Sequence, residues 1–137
     1  MIVDICKSVV GRVSQGVASV IIDLEKRTVL GIYNTLDPSL LDDRAVAGII
    51  DLFRGLHIGR LEQIFCQFLQ VGEKNEPVSR EIHLISGEFS YFGRAFQNGK
   101  AAIVLMTKKT ANIGMAWAHL KLAIPLIEEE LFPPEKQ

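Results

Sequence analysis

Apolar residues recur along the chain with two different periods, and the change from one to the other sets out the elements. From Ile2 to Val13 the apolar positions are Ile2, Ile5, Cys6, Val9, Val10 and Val13, which is one stripe along a helix. Gly16 marks its stop. Val17 to Leu24 (VASVIIDL) is β-branched and apolar, the composition of a strand. Glu25-Lys26-Arg27 is a short polar turn, and Thr28 to Thr35 (TVLGIYNT) reads as a second strand. So tight a connection makes the pair an antiparallel hairpin.

Asp37-Pro38-Ser39 breaks the strand and opens a helix, with Ser39 placed to cap it and Asp42 in its acidic first turn. Val46, Ile49, Ile50, Phe53, Leu61, Ile64 and Phe68 then fall on one helical face. Gly55 and Gly59 interrupt the stretch. Each glycine costs about 1 kcal/mol inside a helix, which favours a break or bend near His57 over one helix running to Gln70. A close helix–helix contact at the Gly55 and Gly59 pair is the alternative reading of that spacing. Val71 to Ser79 (VGEKNEPVS) is polar and reads as a surface loop.

Arg80 to Ser86 (REIHLIS) alternates polar and apolar, a half-buried strand. Phe89 to Phe96 (FSYFGRAF) is another. The Asn98-Gly99 pair is a strong hairpin signal, and Ala101 to Met106 (AAIVLM) is the continuous apolar run of a strand buried on both faces. The last helix carries a stripe of Ile113, Trp117, Leu120, Ile124, Ile127 and Leu131. Pro125 should bend it, and Glu128-Glu129-Glu130 reads as a solvated face. The order is α-β-β-α-β-β-β-α. That predicts an α+β fold, a five-stranded antiparallel sheet with helices on its faces, because so few strands cannot close on themselves.

The chain has 137 residues, enough for one domain spanning 1–137 and not two. Its hydrophobic share is 48%, somewhat more than one core of this size needs, so part of the apolar surface is expected to meet a partner. Lys plus Arg number 15 and Asp plus Glu 16, a balance that gives no electrostatic footprint for nucleic acid or an anionic bilayer. No apolar stretch reaches the ~20 residues of a membrane span. Cys6 and Cys66 sit among apolar residues without a paired-thiol motif, which points to a reducing, cytoplasmic compartment.

Catalytic chemistry is not written in the sequence. His57, His83 and His119 share no local motif and none has zinc-ligand spacing. Asp42 and Asp43 are adjacent on a helix and point about 100° apart, so they would not share a proton. There is no phosphate loop, and Gly11, Gly16, Gly31 and Gly93 stand alone. The expectation is a non-enzymatic chain with neither cofactor nor metal.

A family resemblance enters in the last third. Ile82-His83-Leu84-Ile85-Ser86-Gly87-Glu88-Phe89-Ser90-Tyr91-Phe92-Gly93-Arg94-Ala95-Phe96 resembles the third and fourth strands of the Roadblock (dynein light chain) superfamily. Asn98 to Met106 looks like its tight turn and central strand, and Thr110-Ala111-Asn112-Ile113-Gly114-Met115 resembles the start of its final helix. Gly16 to Asp23 is similar to its first strand. The resemblance implies a Roadblock/profilin-like fold. It also implies a homodimer or heterodimer built by pairing third strands and packing second helices, serving a small Ras-like GTPase as regulator or scaffold, or a motor or signalling complex as adaptor.

Carried onto this sequence, that interface falls on Ile49, Leu52, Phe53, Leu56, Leu61 and Phe65, and on His83 and Leu84 of the third strand. The sequence departs from the family between Gly55 and Arg80, where Leu56 to Ser79 is long enough for an extended or additional helix. The resemblance also raises the question of an arginine finger. Arg27, Arg54, Arg60, Arg80 and Arg94 are the candidates, and none lies in a Gly-rich loop, so solvated surface roles are expected for them. A second functional reading, a ligand-sensing domain, would place Tyr91, Phe92, Arg94 and Trp117 around a pocket between sheet and helix.

Overall fold

A computed structural model describes residues 2–36, 42–54, 56–70 and 80–133, with the backbone alone for residues 56–59. Its elements are α1 (Ile2–Arg12), β1 (Gly16–Asp23), β2 (Thr28–Asn34), α2 (Asp43–Arg54), α3 (Leu56–Leu69), β3 (Glu81–Ile85), β4 (Phe89–Phe96), β5 (Ala101–Lys108) and α4 (Ile113–Leu131). The strands form one five-stranded sheet in the order β2-β1-β5-β4-β3, antiparallel throughout. β5 lies at the centre. Its Ala101, Ala102, Ile103, Val104 and Leu105 are all buried, as a strand covered on both faces requires.

Strand alternation divides these apolar residues between two cores. On one face, α1 and α4 bury Cys6, Val10, Leu120 and Ile127 against Ile21, Phe92, Ile103 and Leu105. On the other, Val46, Ile50 and Phe53 of α2 pack on Val20, Ile22 and Val104. The direction of the two helices on the first face follows from their neighbours. Ile2 and Cys6 lie over Gly31, which pairs with Ile21, whereas the Val10 carbonyl lies by Gly16, so α1 runs antiparallel to β1. Trp117 meets Phe92 and Phe132 meets Phe96, so α4 runs along β4. Both β1 and β4 are antiparallel to β5, and α1 and α4 are therefore antiparallel to each other.

Side chains fix the element ends. Asp42 Oδ1 accepts a hydrogen bond from Ala45 N at 3.0 Å, so Asp42 itself caps α2; Ser39, the expected cap, lies outside the described residues. Asn112 Oδ1 accepts from Met115 N at 2.9 Å and caps α4. Ile113, expected in the core, is instead 50% exposed in the first turn, while Ala116 and Ala123 join the buried face and Trp117 is only half-buried. α4 continues through Pro125, which is solvent-exposed. Glu128 is not part of a solvated face: its Oε2 accepts from Gln97 Nε2 at 2.8 Å. That bond fastens the Gln97–Lys100 turn, whose Gln97, Asn98 and Gly99 have φ of 52°, 56° and 82°.

Where the sequence predicts a break, α2 and α3 are separate helices, with Gly55 between them outside the described residues. The buried stripe does not continue beyond the break. Ile64 and Phe68, which continue the Val46 stripe on paper, do not reach the sheet, and Phe68 is 85% exposed. The polar segment over residues 71–79 lies outside the described residues.

Candidate protein interface

The site is a surface rather than a cleft. β3 is an edge strand, with a ladder to β4 on one side and none among the described residues on the other. Its residues alternate between the two faces. Ile82 packs into the α2 core, and Leu84, on the same face, is exposed. His83 points to the α4 face, where its ring stacks on Phe92 at 4.5 Å and meets Trp117 edge-on at 6.4 Å. Ile85 is exposed at the end of the strand. Glu81 pairs with Arg94 on β4 and has Lys121 of α4 at 3.9 Å. An open edge with apolar residues beside it is a template for another strand.

The second part of the surface is α3. Leu61, Ile64, Phe65, Phe68 and Leu69 are all exposed, Phe65 to 60%. Spacings of three and four gather Leu61, Ile64, Phe65 and Phe68 into one stripe. The principal neighbour of α3 is α2, on which Leu52 is exposed as well. Exposed large apolar groups at this density mark a contact surface.

The expected interface residues divide accordingly. Leu52, Leu61, Phe65 and Leu84 are exposed. Ile49 is half-buried against the α2 core, and the Leu56 side chain lies outside the described residues. Phe53 is a correction: at 1% exposure it belongs to the chain's own core, because its position on α2 aims it at Gly93 of β4. Leu69, which falls off the Val46 face, is exposed as well, and Ile64, Phe68 and Ile85 were not anticipated. The signal for Ile64 and Phe68 was the helix break, which removes any reason for the stripe beyond it to face the sheet.

The histidines among the described side chains lie on different elements. His83 is on β3 and His119 on α4, and the His57 side chain lies outside the described residues. Burial pushes the Cys6 thiol up to about 11, partly offset by its contact with the Ser19 hydroxyl. That hydroxyl is itself buried and makes no conventional hydrogen bond, so the thiol is the polar group it faces. A thiol so shifted is a poor nucleophile. The four residues proposed to line a ligand pocket do not converge. Phe92 and Trp117 share the α4 face, and Arg94 is held by Glu81. Tyr91 points the other way, into a pocket of about 180 Å³ with Ala18, Asn34 and Met106.

No family model matches the sequence, and no curated protein matches it. Solved structures do. A Roadblock/LC7 domain from Streptomyces avermitilis superposes with a TM-score of 0.71 at 16% identity, over 94% of this chain and 96% of that one. MglB from Myxococcus xanthus gives 0.67 at 10% identity, over 99% and 91%. The gliding protein MglB from Thermus thermophilus gives 0.63 at 18% identity, over 88% and 81%. The chain has the Roadblock/LC7 fold. None of its described helices is long and apolar enough to cross a membrane.

Proposed function

We propose that the chain is a non-enzymatic, self-pairing binding module that regulates a small Ras-like GTPase. The observation that carries this reading is the apolar stripe of α3, exposed along Leu61, Phe65 and Phe68 beside α2, in a chain whose β3 edge is also open. A second copy covers both: β3 pairs with β3 to continue the sheet, and the α2–α3 arms pack together. Backbone pairing supplies register, and apolar burial at about 25 cal/mol per Å² supplies the affinity. The resemblance to Roadblock proteins and the shared fold with MglB proteins support a GTPase as the further partner.

The arginines bear on how such a module acts. Arg27 lies 3.5 Å from Asp51, Arg54 donates to the Leu24 carbonyl at 3.3 Å, and Arg94 is paired with Glu81. A finger must be free to reach a phosphate. Three of the five candidates are thus engaged within the chain, which supports regulation by preferring one arrangement of the GTPase's own switch loops, a population shift that needs only differential binding.

Sedimentation at micromolar concentration tests pairing: the wild type runs at twice the chain mass, and Leu84→Asp and Phe65→Asp run as monomers with unchanged far-UV circular dichroism. A monomeric wild type would sink the pairing. Capture from a native lysate charged with GDP or a non-hydrolysable GTP analogue tests the partner. A Ras-like GTPase retained in one nucleotide state is expected, and none retained in either state refutes the assignment.

A further inference from the structure

On the opposite side of the sheet from α2, the antiparallel helices α1 and α4 leave a groove of about 570 Å³ between them. Its floor and ridge are apolar: Ile5 and Val9 from α1, Leu122 and Leu126 from α4. Leu122 is 66% exposed and Leu126 56%, so this ridge is apolar surface that the chain's own core does not use.

The ends of the groove carry opposite charge. Asp4, Ser8 and Arg12 lie four residues apart along α1, so one face of that helix presents acid at its start and base at its end. Because α4 runs the other way, Arg12 lies at the His119 end, while Asp4 lies at the end that holds Glu129 and Glu130. The groove is thus positive at one end, negative at the other and apolar between.

A surface of this pattern complements itself. Rotation by 180° about an axis that lies in the contact plane, perpendicular to the diagonal from Arg12 to Glu129, places one copy's Arg12 over the other's Glu129, twice by symmetry, and lays the Leu122 and Leu126 ridge of each α4 across the other's groove. We infer that the α1–α4 groove is a second self-contact of this protein, in which a further copy docks face to face about a two-fold axis with its helices crossing those of the first, held in register by the Arg12–Glu129 pairs. The surface is independent of β3 and α3. The contact is weak, because its apolar centre is small against the ~800 Å² per partner of a standard interface. Exposed ion pairs make it salt-sensitive.

Analytical ultracentrifugation from low to high micromolar concentration, at low and high salt, tests the inference. The wild type should double the mass of its basal unit as concentration rises, and lose that step in high salt. Leu126→Asp should remain at the basal unit throughout; both wild-type and variant residues are at the surface, so folding is preserved. Arg12→Glu and Glu129→Lys should each also remain there, since each faces a like charge across the two-fold. An equimolar mixture of these two should recover the doubling. In the mixed pair the introduced acid of one variant meets the introduced base of the other, and the retained Glu129 of the first meets the retained Arg12 of the second. Repeating the series in a Leu84→Asp background lowers the basal unit if β3 pairs, without touching the groove step, so the two contacts fail separately. A wild type that sediments like Leu126→Asp, leaving the groove to a foreign helix or to water, overturns the inference. So does a mixture that fails to recover.

Discussion

The Phe53 ring closes on Gly93 so tightly that a β-carbon at residue 93 would lie 2.7 Å from Phe53 Cζ. This contact seats α2 on β4. Phe53 is 1% exposed and has nowhere to turn, so Gly93→Ala must push the helix away, at a cost of about 1–3 kcal/mol. A β-carbon on Gly31 would come closer still to Ile2 Cγ2, but Ile2 lies in the first turn of α1, and that turn can shift without moving the rest of the helix. Gly93→Ala should therefore lower the urea midpoint more than Gly31→Ala, and Phe53→Leu should recover part of the Gly93→Ala loss. Equal effects of the two glycine substitutions would refute the ordering.

Trp117 makes an edge-on contact with Phe92 at 5.5 Å, and His83 stacks on Phe92 and meets Trp117 edge-on. The tryptophan is half-buried, so Trp117→Ala should cost about 2–3 kcal/mol, below the full value for a core aromatic. Denaturant unfolding followed by far-UV circular dichroism checks this, with the slope unchanged if only the folded packing is lost.

The two cysteines should behave differently. Cys6 is buried and its thiol is raised from 9.0 to about 11, whereas Cys66 is half-exposed. At neutral pH a thiol reagent should titrate Cys66 in the folded protein and reach Cys6 only in denaturant. The same shift predicts a pH effect. The unfolded thiol ionises near 9.0 while the folded one stays protonated to about 11, so the unfolded state binds fewer protons in that window. This contribution to stability is complete below 9.0 and is lost as pH rises towards 11. The stability difference between wild type and Cys6→Ala, measured across that range, should shrink with increasing pH.

Arginine substitutions should separate affinity from rate. At saturating module, Arg27→Ala, Arg60→Ala and Arg80→Ala should each leave single-turnover GTP hydrolysis by the captured GTPase within a few-fold of wild type. A true finger is worth about 10³–10⁵ in rate. One arginine whose loss abolishes stimulation with binding intact would replace the population-shift mechanism.

Local periodicity settled the order and type of the strands and of the first and last helices, and left the helical stretch before β3 open between one bent helix and two, where the structure has α2 and α3. Phe89–Phe96 is the strand its residues predict, and β5 is buried on both faces as its unbroken apolar run requires. Asn112 caps α4 where the sequence resembles a Roadblock helix start. These features depend on contacts within a few residues or on a composition that admits one environment. Tertiary structure decided what each face meets. Periodicity assigned Phe53 and Phe68 to one stripe, yet Phe53 is core and Phe68 is solvent-facing, because the stripe is divided between two helices and the core on that face is built on α2. Ile113 left the core because a capped first turn starts before the helix reaches the sheet. Glu128 found Gln97 across a separation of 31 residues, a pairing no local pattern contains. The charged ends of the α1–α4 groove have the same origin: Asp4 and Arg12 acquire opposite neighbours only because the sheet order sets α1 antiparallel to α4.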